Sequence, residues 1–135
     1  MPVAAQFFGR VFHFKKALRE FHFLEAQEVV SMEVSETYPK LQFVFRKPSH
    51  RRHHAIKFNE DVEDFVVKHI TESKAFFKIE SLRLAFSRMT SDQLLCIVTL
   101  NTQGALSIRL MHDTKTFLAE SLILCQEDTD SDEAN

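Results

Sequence analysis

Two stretches of the chain set their apolar residues on one helical stripe. Phe14, Ala17, Leu18 and Phe21 fall at i, i+3, i+4 and i+7, and Leu82, Ala85, Phe86 and Met89 repeat the same offsets. A turn of about 3.6 residues gathers such positions on one face, so each stretch predicts a short amphipathic helix. Ser81, after Glu80, is positioned as a cap for the second. Elsewhere the period shortens. Residues 28–34 alternate, with Val30, Met32 and Val34 on one side and Val29, Ser31 and Glu33 on the other, the mark of a half-buried strand. Residues 40–45 would pair with them across a turn containing Pro39. Further strands are predicted over residues 3–8, 53–58, 65–70, 75–79, 94–100, 105–110 and 116–125. Asn101-Thr102-Gln103-Gly104 supplies a hairpin turn whose glycine can take positive φ. Residues 126–135 are polar and acidic, which predicts a disordered tail behind one domain over residues 1–125.

The order of these elements repeats. Strand, helix, strand, turn, strand, strand occurs before about residue 67 and again after it, so an internal duplication in layout is expected within an α+β fold. Residue identities barely recur between the halves.

Composition sharpens the picture. The chain has 135 residues, the size of one domain. It carries 14 Phe against 1 Tyr and no Trp, and rings without a polar tip predict a Phe-rich interior. Only 2 Gly and 3 Pro are present, which excludes a glycine-rich phosphate loop. Cys96 and Cys125 stand alone, with no CxxC spacing and no disulfide framework, as expected of a reducing compartment. The opening residues lack the charged-then-apolar order of a signal peptide, and no apolar run reaches the length of a membrane span.

The formal charge is −2, so the chain as a whole is not a basic nucleic-acid binder. The cations are nevertheless placed. If the apolar stripes pack inward, the first helix presents Lys15, Lys16, Arg19 and His22, interrupted by Glu20. The second presents Arg83, Ser87 and Arg88, with Glu80 at its start. Two cationic helix faces suit phosphates, whose neutralisation gives sequence-independent, salt-sensitive affinity.

Several short motifs, in order, resemble a known family. Ala17-Leu18-Arg19-Glu20-Phe21, the strand Glu28–Val34, the turn Tyr38-Pro39-Lys40-Leu41, the hairpin Asn101-Thr102-Gln103-Gly104-Ala105-Leu106-Ser107, and Phe117 with Glu120 before the acidic ending resemble a PCNA-type sliding-clamp domain. The likeness is closest to the C-terminal domain of the Rad-one subunit of the checkpoint clamp, nine-one-one, and covers about residues 17–133. The resemblance implies a PCNA-like α+β domain of two βαβββ halves, with two antiparallel sheets and two helices on one face. It implies a nuclear scaffold of the DNA-damage checkpoint and DNA repair, not an enzyme and needing no cofactor. Its partners would be two other clamp subunits, an ATP-driven clamp loader and double-stranded DNA, with no membrane and no small-molecule substrate. Lys15, Lys16, Arg19, Arg83 and Arg88 would face DNA, and His54, Ala55, Ile56, Lys57 and Phe58 would form an edge strand meeting a neighbouring subunit. A full subunit of that family has two such domains; the residues here correspond to the second.

Other clusters suggest other chemistry. Ser49-His50-Arg51-Arg52-His53-His54 lacks the convergent ligands zinc requires and fits a solvated connection. Residues 59–64, with Glu60, Asp61, Glu63 and Asp64, offer carboxylates to an alternative 3′–5′ exonuclease reading, but consecutive loop acids point apart rather than converge on paired metals. Cys96 shares a face with Val98 and is expected to be structural. Thr129 and Ser131, among acids in the tail, are candidate phosphorylation sites. A generic α+β protein-interaction domain without DNA contact is the remaining alternative.

Overall fold

A computed structural model describes residues 2–47, 52–58, 65–89, 94–111 and 117–126. The elements run β1 (Val3–Arg10), α1 (Val11–Arg19), β2 (Val29–Val34), β3 (Leu41–Lys47), β4 (Arg52–Phe58), β5 (Val66–Ile70), β6 (Ser73–Lys78), α2 (Ile79–Ser87), β7 (Leu95–Asn101), β8 (Leu106–Met111) and β9 (Phe117–Ile123). They form a five-stranded sheet in the order β5-β1-β7-β8-β9 and a four-stranded sheet in the order β4-β3-β2-β6. Every named pairing is antiparallel.

The duplication expected from the sequence is built into the strand order. The strand entering each helix pairs with the strand leaving the other: β1 with β7, and β6 with β2. Each half therefore completes the other's sheet. The helices match at one constant offset, Val11 with Ile79, Phe14 with Leu82, Ala17 with Ala85, Leu18 with Phe86 and Phe21 with Met89, and all ten are buried. The relation extends to the sheet margins. After the first half, β5 adds to the free edge of β1; after the second, Gln126 bridges Phe76 on the free edge of β6.

Several sequence expectations are corrected here. Ser81 does not cap α2: the cap position is Lys78, with no side-chain cap bond, and Ser81 lies inside the helix. The orphan amides at the helix start are met by tertiary backbone instead, Ile79 N donating to the Glu28 carbonyl at 2.8 Å. Val11 N donates likewise to the Leu94 carbonyl at 3.0 Å, so each helix starts against the residue just ahead of the strand that leaves the other. The boundaries also move. α1 begins at Val11, directly after β1, and Ile79 opens α2 rather than closing β6. Gln126, expected in the tail, donates its backbone N–H to the Phe76 carbonyl at 2.7 Å.

The core between sheets and helices is rich in phenylalanine, as composition predicted. Phe7, Phe14, Phe21, Phe43, Phe77 and Phe86 are among its largest fully buried side chains. Phe14 sits at the centre, with ring centroids 5.3 Å from Phe58, 5.3 Å from Phe86 and 6.1 Å from Phe65. Gly9 makes room for it: a Cβ there would stand 3.0 Å from Phe14 Cε2 and 3.1 Å from Phe65 Cδ2.

Candidate nucleic-acid interface

The contacts between the helices fix their relative direction. Phe14, early in α1, stacks on Phe86, late in α2. Arg83, one turn earlier in α2, reaches Phe21 and Leu24 beyond the end of α1. The helices therefore run antiparallel, side by side. Between them lies an open cleft with a floor of Leu18 and Phe86 and walls of Lys15, Arg19, His22 and Arg83.

The five predicted cations do not act as one set. Lys15, Arg19 and Arg83 share the cleft. Arg83 is also a structural brace: its Nη2 donates to the Phe21 carbonyl at 2.7 Å and both Nη atoms reach the Leu24 carbonyl at 3.4 Å. It thereby meets carbonyls in the turns that follow α1, and the Phe21 carbonyl also accepts from Leu24 N at 2.9 Å. Lys16 turns away from the cleft and lines a second groove between α1 and β4. Arg88 is exposed at the C-terminal cap of α2. Five positions after Arg83, it stands about 140° further round the helix axis and so on the flank away from the cleft.

The same faces hold residues the sequence reading passed over. Phe12 on α1 and Leu84 on α2 are 39% and 53% exposed, and Phe23, just past α1, is 44% exposed. Their signal was available: none belongs to the i, i+3, i+4, i+7 stripe of its helix, so none was required in the core.

The predicted subunit strand is β4, and it stands at the edge of the four-stranded sheet. Its backbone, rather than its side chains, faces outward along that edge. Phe58 is buried against Phe14, Phe43 and Phe65. Ile56 packs against the core, and the His54 ring meets the Phe21 and Phe23 rings edge-on at 5.4 and 5.5 Å. His54 Nε2 is buried with no hydrogen-bond partner among the described residues. Alternation leaves Ala55 and Lys57 on the opposite face.

The outer sheet faces carry compensated charge. Glu33 accepts from Ser31 Oγ at 2.6 Å and from Arg46 Nη1 at 2.5 Å. Burial alone would raise its carboxyl; the Arg46 and Ser31 hydrogen bonds, with the charges of Arg46 and Lys74, outweigh that and hold it below 4.5. Arg109 donates to Glu120 at 2.6 Å. Cys96 is buried, as expected, and burial pushes its thiol up to about 12. Among the described residues no group of His, Cys, Asp and Glu could hold a metal ion, and no helix is long and apolar enough to cross a membrane. The carboxylates of residues 59–64, residues 49–51 of the basic segment, and Thr129 and Ser131 lie outside the described residues.

No protein-family model matches the chain, and no curated protein matches it. Solved structures do match. Proliferating cellular nuclear antigen from Entamoeba histolytica aligns with a TM-score of 0.68 at 11% identity, over 94% of this chain and 47% of that one. The fold is a PCNA-like clamp domain. The chain spans about half the length of the clamp protein it matches. A shared fold at 11% identity is physically reasonable: a core tolerates exchange among apolar residues of similar volume while patterning is kept.

Proposed function

We propose that this chain is a clamp-type scaffold that lies against double-stranded DNA through the α1 and α2 faces and joins other clamp domains through its sheet edges. The observation carrying this reading is the cleft in which Lys15, Arg19 and Arg83 come together from two antiparallel helices. Phosphates meeting such a wall release counterions without any base being read, which is the contact a protein that moves along DNA requires. The duplex is held by position, and no chemistry is asked of the domain. The sheet edge β4 leaves backbone groups that a partner strand could complete, which would also remove an aggregation hazard.

The finer assignment follows the ordered motifs. The chain acts as a subunit, or a short form of a subunit, of the heterotrimeric checkpoint clamp in the nucleus, with two other clamp subunits and a loader as partners. Lys16 and Arg88, on the outer flanks of the helices, would meet the duplex beyond the cleft. His54, Ala55, Ile56, Lys57 and Phe58 would serve through their backbone as a strand in the subunit contact, and Thr129 and Ser131 would accept phosphate.

The test is a salt titration of binding to a fluorescent duplex. Lys15→Ala with Arg19→Ala should weaken binding about tenfold or more and flatten the log–log salt slope by about 2, one phosphate contact per residue. Unchanged affinity and slope would overturn the reading.

A further inference from the structure

The helix face carries more than a phosphate surface needs. Phe12 opens the exposed side of α1 and Phe23 follows its end, and the rings are 39% and 44% exposed. Between them lie Lys15, Lys16, Arg19 and His22. On a helix, residues three and four apart are neighbours, so Lys15 and Lys16 flank the Phe12 ring. Arg19, seven positions on, returns to nearly the same side about 10 Å along the axis.

Both rings are braced. Phe12 meets His13 edge-on at 5.6 Å, and Phe23 is set edge-on by His22 at 6.0 Å, Phe45 at 6.1 Å and His54 at 5.5 Å. A ring already held in place loses little freedom when a partner stacks on it. One exposed ring is ordinary on a protein surface. Two rings bracketing a row of cations match the requirements of an unpaired nucleic-acid strand, whose backbone needs cations and whose bases offer flat faces. A duplex keeps its bases stacked inside and has no use for either ring. Leu84 adds apolar area on α2 but no π face.

We propose that the α1 face binds single-stranded nucleic acid, with bases stacking on Phe12 and Phe23 and phosphates on Lys15, Lys16 and Arg19. This rests on the reading of the helix face as the nucleic-acid side and extends it from duplex to exposed single strands.

The experiment compares a fluorescein-labelled oligothymidine with a duplex of equal length, by anisotropy, on the full chain. Phe12→Ala should weaken single-strand binding about fivefold or more and leave duplex binding unchanged. Phe12→Leu should fail like Phe12→Ala, because it keeps apolar area without a ring, whereas Phe12→Tyr should retain affinity. The chain contains no Trp, so Phe12→Trp introduces a lone indole whose fluorescence should be quenched by oligothymidine. Equal single-strand affinity for Phe12→Ala and the unaltered chain, or full affinity for Phe12→Leu, overturns the proposal while duplex binding keeps the underlying reading intact. Binding of neither nucleic acid overturns both, and capture of an acidic aromatic peptide in place of oligothymidine overturns the stacking proposal. Phe12 is partly exposed, so unchanged thermal melting of each variant shows that the effect is not unfolding.

Discussion

The Phe14 ring of α1 lies on the Phe86 ring of α2, with centroids 5.3 Å apart and 10° between their planes. The pair joins the two halves where their helices cross, directly beneath the cleft that gathers Lys15, Arg19 and Arg83. Packing and site are thus one arrangement, because what sets the helices side by side also sets the spacing of the cations.

Phe14→Ala should therefore cost about 3–5 kcal/mol in urea unfolding, since it empties a fully buried site touching rings from β4, α2 and the segment before β5. A loss under about 1 kcal/mol would mean the surrounding rings collapse into the space.

Arg83 and Arg19 share the cleft but not the same duties. Arg83→Ala leaves the carbonyls of Phe21 and Leu24 without their guanidinium donor and should cost roughly 1.5 kcal/mol or more of stability. Arg19 is exposed, and Arg19→Ala should stay within about 0.5 kcal/mol while weakening nucleic-acid binding. Thermal melts and anisotropy on the two variants separate brace from contact.

The cysteines should react in sequence. Cys125 is exposed and should be alkylated at pH 8 in the folded chain. Cys96, raised to about 12 by burial, should stay protonated and unreactive until the chain unfolds. Counting labelled thiols by mass spectrometry with and without denaturant checks both. A thiol raised in the folded state adds stability below its ordinary value of 9.0, and that contribution is lost between 9.0 and about 12 as pH rises.

Glu33 should govern part of the acid limb. Its carboxyl is held below 4.5 in the folded chain, so its ionised form stabilises the fold above that value and the contribution disappears as pH falls below it. Glu33→Gln should melt at a lower temperature than the unaltered chain at pH 7, and the gap should narrow toward pH 3. A gap independent of pH would assign the effect to the lost hydrogen-bond geometry with Arg46 and Ser31, not to charge.

The elements legible in the sequence were those with unbroken periods. The stripes Phe14–Phe21 and Leu82–Met89 located both helix cores, and alternation located β2. The starts of α1 and α2 were not legible, because their caps are the carbonyls of Leu94 and Glu28, distant in sequence and invisible to local capping rules. The candidate site was half legible. Patterning put Lys15, Arg19 and Arg83 outside the core. It could not tell that Lys16 looks toward β4 or that Arg83 is spent partly on backbone acceptors, since both depend on what lies beside each helix. Phe12 and Phe23 were overlooked because counting apolar residues assigns rings to the interior. Sheet order was not legible, since the exchange of β1 and β6 between halves leaves no local mark.

The central claim is that the α1–α2 side meets DNA. Amide chemical-shift mapping by NMR during titration with a short duplex tests it most directly. The account predicts shifts that cluster at Lys15, Arg19, His22, Arg83 and Ser87 and fade as salt is raised. Shifts gathered instead on the outer sheet faces, around Glu33 and Arg109, with the helix face silent, would contradict it.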